Sequence, residues 1–360
     1  MSRSHRLLLR LSIALGCFAI PACAKAQPSQ LSVTFFDVGQ GDAALLVSPT
    51  GKRVLIDGGP PESAHRLLAE LRRQAIDRLD LIILTHPHLD HLGGLAQVVD
   101  AMPVGTFLDS GFSHPSPAYT HLLETLARRH VTVRQASAGR AIDLGGGATL
   151  TLLGPPQPFL SGTRSDANAN SVVARLAFRK ATALFVGDIE PETEHWLLAH
   201  SATLTADVLK VAHHGGHYSS TSEFLQAVKP RIAVISVGAR NDYGHPTPQA
   251  IARLTAIGAA VYRTDRDGTV TLSTDGSRWT WKTNRAAPLL ASAPFAPQHF
   301  APVVSAPTTD LHYLASRRSP VFHNADCVNA RTIKPDNLMA FPTRGAALAT
   351  DRRPAACCHP

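Results

Sequence analysis

Residues 86 to 91 read His86-Pro87-His88-Leu89-Asp90-His91, placing four metal-ligand side chains within six positions. The run follows the apolar stretch Leu79–Leu84 and passes through Leu92-Gly93-Gly94 into a segment with helical apolar spacing. A strand ending on one side and a helix starting on the other hold a short loop at both ends, so the side chains between them converge. Histidines two positions apart at a strand end can aim neutral imidazoles at one cation, while Asp90-His91 turns towards a second. Imidazole and carboxylate without thiolate suit zinc, manganese or iron. Incidental clustering of histidines on an exposed loop is the bland alternative, and the strand-to-helix junction argues against it.

Around this run the chain alternates β-rich and helical segments. Strands are expected over Leu31–Phe36, Ala44–Val47, Arg53–Ile56, Leu79–Leu84, Thr149–Leu153, Ser171–Phe178, Ala183–Val186, Val208–Val211, Arg231–Ile235 and Thr269–Ser273. Helical spacing covers Pro61–Ala75, Leu92–Ala101, Pro117–His130, Glu190–His200, Ser222–Val228 and Pro248–Ile257. This order predicts an α+β sandwich, two mixed sheets between helices, over residues 30–283. Residues 284–308 are rich in Ala and Pro and read as a semi-extended linker, followed by a small module over 309–360.

The net charge of +8 does not mark a nucleic-acid-binding centre. Arg3, Arg6, Arg10 and Lys25 lie in the first 26 residues, and residues 308–360 carry an excess of three cations, leaving about +1 between them. Residues 1–26 read as an export signal: a basic start, the apolar run Leu7 to Ile20 broken by Arg10, then Ala24-Lys25-Ala26 as a small-x-small cleavage site. That run is too short to span a bilayer. A secreted or periplasmic protein is expected, with no stable membrane span once the signal is removed. Lipid anchoring at Cys23 is the alternative, for which Pro21-Ala22 makes a poor recognition sequence. Beyond the leader, the cysteines Cys327, Cys357 and Cys358 all fall in the last 34 residues, so the sandwich is not held by disulfides.

The segment Thr85-His86-Pro87-His88-Leu89-Asp90-His91-Leu92-Gly93-Gly94 resembles the signature of the metallo-β-lactamase superfamily. Phe36-Asp37-Val38-Gly39-Gln40-Gly41-Asp42, Val186-Gly187-Asp188, Leu209-Lys210-Val211-Ala212-His213-His214-Gly215-Gly216 and Tyr243-Gly244-His245-Pro246 resemble the branch formed by the hydrolase domain of ComEC DNA-uptake proteins. The resemblance runs from Leu31 to about Lys282. It implies two divalent cations, zinc or manganese: His86 and His88 on the first, Asp90 and His91 on the second, Asp188 bridging, and one of His213 and His214 completing the second site. For Asp188 a helix N-cap is the structural alternative.

Many superfamily members place a further histidine where this chain reads Asn168-Ala169-Asn170-Ser171. The first cation is then ligand-poor, with water or Asn168 filling in, and an open position suits catalysis. Asp57, in Leu55-Ile56-Asp57-Gly58-Gly59, is expected to sit behind the metal loop and orient a histidine. Asp37 and Asp42 either shape the Gly-rich turn or reach the site. Asp90 doubles as the residue that holds the nucleophile in line, and His245 is a candidate for contacting a leaving group or phosphate. Lys210 reads as a solvated strand residue, and His114 has no ligand spacing.

The tail, with Val321-Phe322-His323-Asn324-Ala325-Asp326-Cys327 and Arg353-Pro354-Ala355-Ala356-Cys357-Cys358-His359-Pro360, resembles the Ada-type metal-binding module. His323, Cys327 and Cys358 match its ligand positions, Ala355 occupies the place of a cysteine, and Cys357 or His359 is the local substitute. A structural zinc is expected there; a vestigial module held by packing is the alternative.

These readings lead to a secreted two-metal hydrolase in which water activated between the cations attacks phosphorus or carbonyl carbon. The resemblance favours a phosphodiester substrate, extracellular DNA being one candidate. The sequence shows neither an aromatic stacking run nor a basic groove, and no protein partner can be inferred. The alternatives are a hydrolase of a lactone, a β-lactam or a cell-wall phosphoester, and a non-catalytic binding protein.

Overall fold

The computed structural model describes residues 30–285 throughout, and residues 313–355 apart from 318, 326, 328, 329, 331, 332, 334–336, 342, 343, 349 and 351. The export signal, the linker beyond 285, Cys357 and Cys358 lie outside the described residues. The chain divides into two compact units, 1–290 and 291–360.

Two sheets form the first unit. One holds β1 (Leu31–Phe35), β2 (Ala44–Val47), β3 (Arg53–Ile56), β4 (Leu79–Ile83), β5 (Val104–Asp109) and β6 (Thr132–Gln135). The other runs through β7 (Ala141–Gly145), β8 (Ala148–Leu152), β9 (Ala174–Phe178), β10 (Ala181–Phe185), β11 (Val208–Lys210), β12 (Ile232–Ile235) and β13 (Ala260–Arg263). β14 (Val270–Thr274) and β15 (Trp279–Thr283) return to the first sheet, whose order is β15-β14-β1-β2-β3-β4-β5-β6. β3 to β6 are parallel, as are β10 to β13, while the remaining pairs are antiparallel.

Alternating apolar side chains from both sheets, among them Phe35, Ile56, Leu150, Leu176, Phe185 and Val234, fill the space between them. The outer face of the first sheet packs Leu55, Ile82 and Phe107 against Leu67, Leu71, Val98 and Leu126 of its helices. The second sheet does the same, with Leu184, Leu209 and Ala233 against Leu197, Phe224 and Leu254. Helices outside and sheets inside make the four-layer α/β/β/α sandwich, because each sheet has two apolar faces to cover.

Five strands of the first unit lie outside the expected set: β5, β6, β7, β13 and β15. β6 shows why, since all four of its residues are exposed and only pairing with β5 makes it a strand. The second unit has its own sheet, order β18-β16-β17-β19, from β16 (Tyr313–Ser316), β17 (Val321–Asn324), β18 (Leu338–Phe341) and β19 (Arg353–Pro354). Ala315, Phe322, Phe341 and Ala347 form its small core.

Candidate metal centre

The functional candidates gather just beyond the ends of β3, β4, β10, β11 and β12. Parallel strands deliver their following loops to one edge, so residues remote in sequence meet there. Asp57 follows β3, Thr85 and His86 follow β4, Asp188 follows β10, His213 and His214 follow β11, and Ser236 follows β12. The loop before β2 closes from the side: Asp42 N donates to Asp90 O at 3.1 Å. Gly41 makes that approach possible, since a Cβ there would collide with the Asp90 carbonyl oxygen.

Two groups of donor atoms face one another. His86 Nε2 and His88 Nδ1 stand 3.1 Å apart. Asp90, His91, Asp188 and His214 form the second group, their ligand atoms all within 4.8 Å of one another. Within it, Asp188 Oδ2 lies 3.3 Å from both His91 Nε2 and His214 Nε2, and Asp90 Oδ2 lies 3.1 Å from His214 Nε2.

The other ring nitrogens are held from behind, which decides what each ring presents. His91 Nδ1 lies 2.9 Å from Asp57 Oδ2, and the same carboxylate accepts from Thr85 N at 2.7 Å and Thr85 Oγ1 at 2.8 Å. His214 Nδ1 donates to Ser236 O at 2.9 Å. His213 and His214 both adopt left-handed backbone, φ 50° and 53°. Non-glycine residues reach that region at a cost of about 1–2 kcal/mol each, so the turn that aims them is held by its surroundings.

Of the adjacent pair, His214 joins the buried group. His213 turns aside, with Nε2 4.0 Å from Asp188 Oδ2 and Nδ1 3.4 Å from Glu190 Oε1. Asn168, on the short helix Asp166–Ala169, is buried with Oδ1 unpartnered. The His245 ring lies 5.5 Å from that of His213 and 6.4 Å from that of His214. Of the two carboxylates left open by the sequence, Asp42 is at the centre, whereas Asp37 accepts from Arg285 Nη2 at 2.7 Å. In the second unit, His323 Nδ1 and Cys327 Sγ are 3.6 Å apart, with Cys327 buried.

Lys210 corrects the expectation of a solvated side chain. It is 4% exposed, with Nζ 2.5 Å from Asp42 Oδ2 and donating to Val211 O at 2.8 Å. Only the fold brings it to Asp42, 168 positions away in sequence. Glu190, two residues after Asp188, is likewise buried and faces His213; the sequence marked it only as the start of a helix. His114, given no role, places its ring 5.5 Å from that of His88.

The electrostatics favour bound cations. Burial, then His91, pushes the His86 imidazole well below its usual pKa, leaving it neutral and able to donate a lone pair. Burial pulls Asp188 upward, but His214, His91 and His213 outweigh it and hold the carboxyl well below the usual range. Burial pulls His91 and His214 down, and Asp188 above all pushes both well up. The carboxylates therefore draw positive charge onto the cluster, as protons or as metal. His91 Nε2, Asp188 Oδ1 and Asn168 Oδ1 are buried without a hydrogen-bond partner. Buried polar atoms are nearly always satisfied, so His91 Nε2 and Asp188 Oδ1, unpartnered within one cluster, fit a donor set for divalent ions.

Two facing mixed sheets under flanking helices, with a thiolate-free His/Asp cluster on the loops at one edge, define a metal-dependent hydrolase sandwich. The profile of the family described as "Metallo-beta-lactamase superfamily" matches residues 36–239. The chain belongs to the metallo-beta-lactamase superfamily. It is 29% identical over 260 residues to ComE operon protein 3 of Bacillus subtilis (strain 168), covering 67% of this chain and 33% of that protein. Against Competence protein ComA of Neisseria gonorrhoeae it is 30% identical over 242 residues, 67% of this chain and 32% of that one. A stretch of 113 residues is 36% identical to Ribonuclease Z of Bradyrhizobium diazoefficiens, 29% of this chain and 36% of that protein. The chain spans about a third of the length of the two competence relatives.

Proposed function

We propose that this protein is an exported phosphodiesterase that uses two divalent cations, zinc or manganese, and acts on nucleic-acid-type substrates. The observation that carries the reading is the pair of converging donor groups: His86 with His88, and Asp90, His91 and His214 with Asp188 between. Cations held there would lower the pKa of water, orient the substrate and offset charge that develops on phosphoryl oxygens. Asp57 fixes the His91 ring so that Nε2 faces inward, and Ser236 O does the same for His214. Asp90, part-exposed beside them, would hold an attacking water in line. Burial, then His213 and His214, lowers His245 to about 4, so it meets the substrate as a neutral imidazole. The resemblance to competence proteins and, over a shorter stretch, to a ribonuclease supports a phosphodiester over a lactam.

Export rests on residues 1–26. Among the described residues, no helix is long and apolar enough to cross a membrane.

The test is a substrate panel for the purified protein: bis-p-nitrophenyl phosphate, single-stranded DNA, a lactone and a chromogenic cephalosporin, each with manganese, with zinc and after EDTA. Metal-dependent cleavage of the diesters, abolished by EDTA, is the expected result. Rapid cephalosporin hydrolysis with no diesterase activity would replace this reading with the lactam one.

The proposal extends to a structural zinc in the second unit, carried by His323 and Cys327. Elemental analysis of full-length wild type and Cys327→Ala should differ by one zinc per chain. Equal zinc contents would show that the module is held by packing alone.

A further inference from the structure

Lys210 and Arg164 are both tied to the residues of the metal centre, and they are used differently. Lys210 is buried, and its charge is spent on Asp42 and a carbonyl. Arg164 stands before the short helix Asp166–Ala169 that carries Asn168, and its side chain is 50% exposed. Its guanidinium carbon lies 3.4 Å from the centroid of the Tyr218 ring. Nε faces Glu190 Oε2 at 3.7 Å, and the other oxygen of that buried carboxylate lies 3.4 Å from His213 Nδ1. His213 Nε2 is in turn 4.0 Å from Asp188 Oδ2. Arg164 is thus linked through two side chains to the centre of the metal cluster.

The guanidinium face is stacked and Nε points at Glu190 Oε2 from 3.7 Å, too far for a hydrogen bond, and neither Nη group makes a hydrogen bond among the described residues. Those two donors form the fork that grips two oxygens of one phosphate. Neutralising Glu190 does not account for the arrangement. At 3.7 Å the pair is too long for a hydrogen bond, and Lys210, buried and 2.5 Å from Asp42, shows what a charge-neutralising cation looks like in this protein. The platform under Arg164 is also rigid. Arg253 donates to the carbonyls of His217, Ser219 and Ser220 at 2.7 to 2.8 Å, and buried Glu194 accepts from Ser220 N and Thr221 N. A fork held in place before the ligand arrives loses little entropy on binding.

We propose that Arg164 anchors a second phosphate subsite beside the metal centre, which holds the phosphate neighbouring the scissile one in a nucleic-acid strand. The inference rests on the phosphodiesterase reading and narrows it: the site is built for a strand with several phosphates and not for an isolated diester.

The experiment compares wild type, Arg164→Gln and Arg164→Lys, as full-length manganese-loaded proteins. One substrate is bis-p-nitrophenyl phosphate, with a single phosphate; the other is a short single-stranded oligodeoxynucleotide. Charge-assisted hydrogen bonds are worth about 1.5–3 kcal/mol, so Arg164→Gln should lower kcat/KM on the oligonucleotide about 10- to 100-fold. Turnover of bis-p-nitrophenyl phosphate should stay within about twofold, because that substrate never reaches the subsite. In a plot of log Kd for the oligonucleotide against log salt, the slope should become shallower by about one. Arg164→Lys should keep the slope but recover only part of the rate, having charge without the planar fork. Equal losses on both substrates, or no loss on the oligonucleotide, would overturn the subsite while leaving the phosphodiesterase reading intact. A wild type that cleaves neither substrate would overturn that reading and the subsite with it.

Discussion

Asp188→Ala and His88→Ala should each lower kcat on bis-p-nitrophenyl phosphate by about three orders of magnitude or more, with the fold intact. Among the described residues Asp188 is the one carboxylate that faces His91, His214 and His213 together, so its loss removes the group on which the second donor set is centred. His88 Nδ1 is half of the other set, 3.1 Å from His86 Nε2. A thousandfold loss corresponds to about 4 kcal/mol of transition-state stabilisation, the scale on which metal-assisted hydrolysis operates. The fold should survive because the rings around Asp188 keep a second anchor, His91 on Asp57 and His214 on Ser236 O. The readouts are kcat at saturating metal, bound metal per chain and far-UV circular dichroism. Near-wild-type turnover by either metal-saturated variant would remove that residue from the catalytic centre.

The second large effect is on stability. Lys210→Met should destabilise the sandwich by about 3–5 kcal/mol, because it strands the Asp42 carboxylate inside the protein without its cation. For a domain of this size that is a fall of roughly 10 °C in melting temperature. Asp42→Asn should also destabilise. The double variant should be clearly more stable than the sum of the two losses, since neither partner is then an unpaired charge. Melting curves of the four proteins in EDTA separate this effect from metal binding. Additive losses would show that the pair is not coupled.

Much of the candidate centre was legible along the chain because its donor residues travel in short local groups. His86, His88, Asp90 and His91 lie within one loop, and the β-rich and helical segments on either side fix how that loop is held. Asp57 and Asp188 sit just beyond strands whose apolar patterns are clear. The helix Ser222–Val228 follows from its apolar spacing and from Thr221, which caps it by accepting from Phe224 N. Where apolar alternation was weak, reading failed: β6 has no buried residue, so nothing in Thr132–Gln135 announces a strand before β5 is beside it.

By itself, then, the sequence determined the layered architecture and the donor chemistry, because hydrophobic periodicity and ligand spacing act over a few residues. The tertiary structure alone decided which of two adjacent histidines joins the buried group, since that choice depends on Ser236 O and Asp188, delivered by other strands. It also decided that Lys210 is a buried partner of Asp42 and that Arg164 stacks on Tyr218. Such pairings join positions from about 50 to nearly 170 residues apart. Strand order brings them together, and no local propensity can encode a contact whose other half follows a different strand.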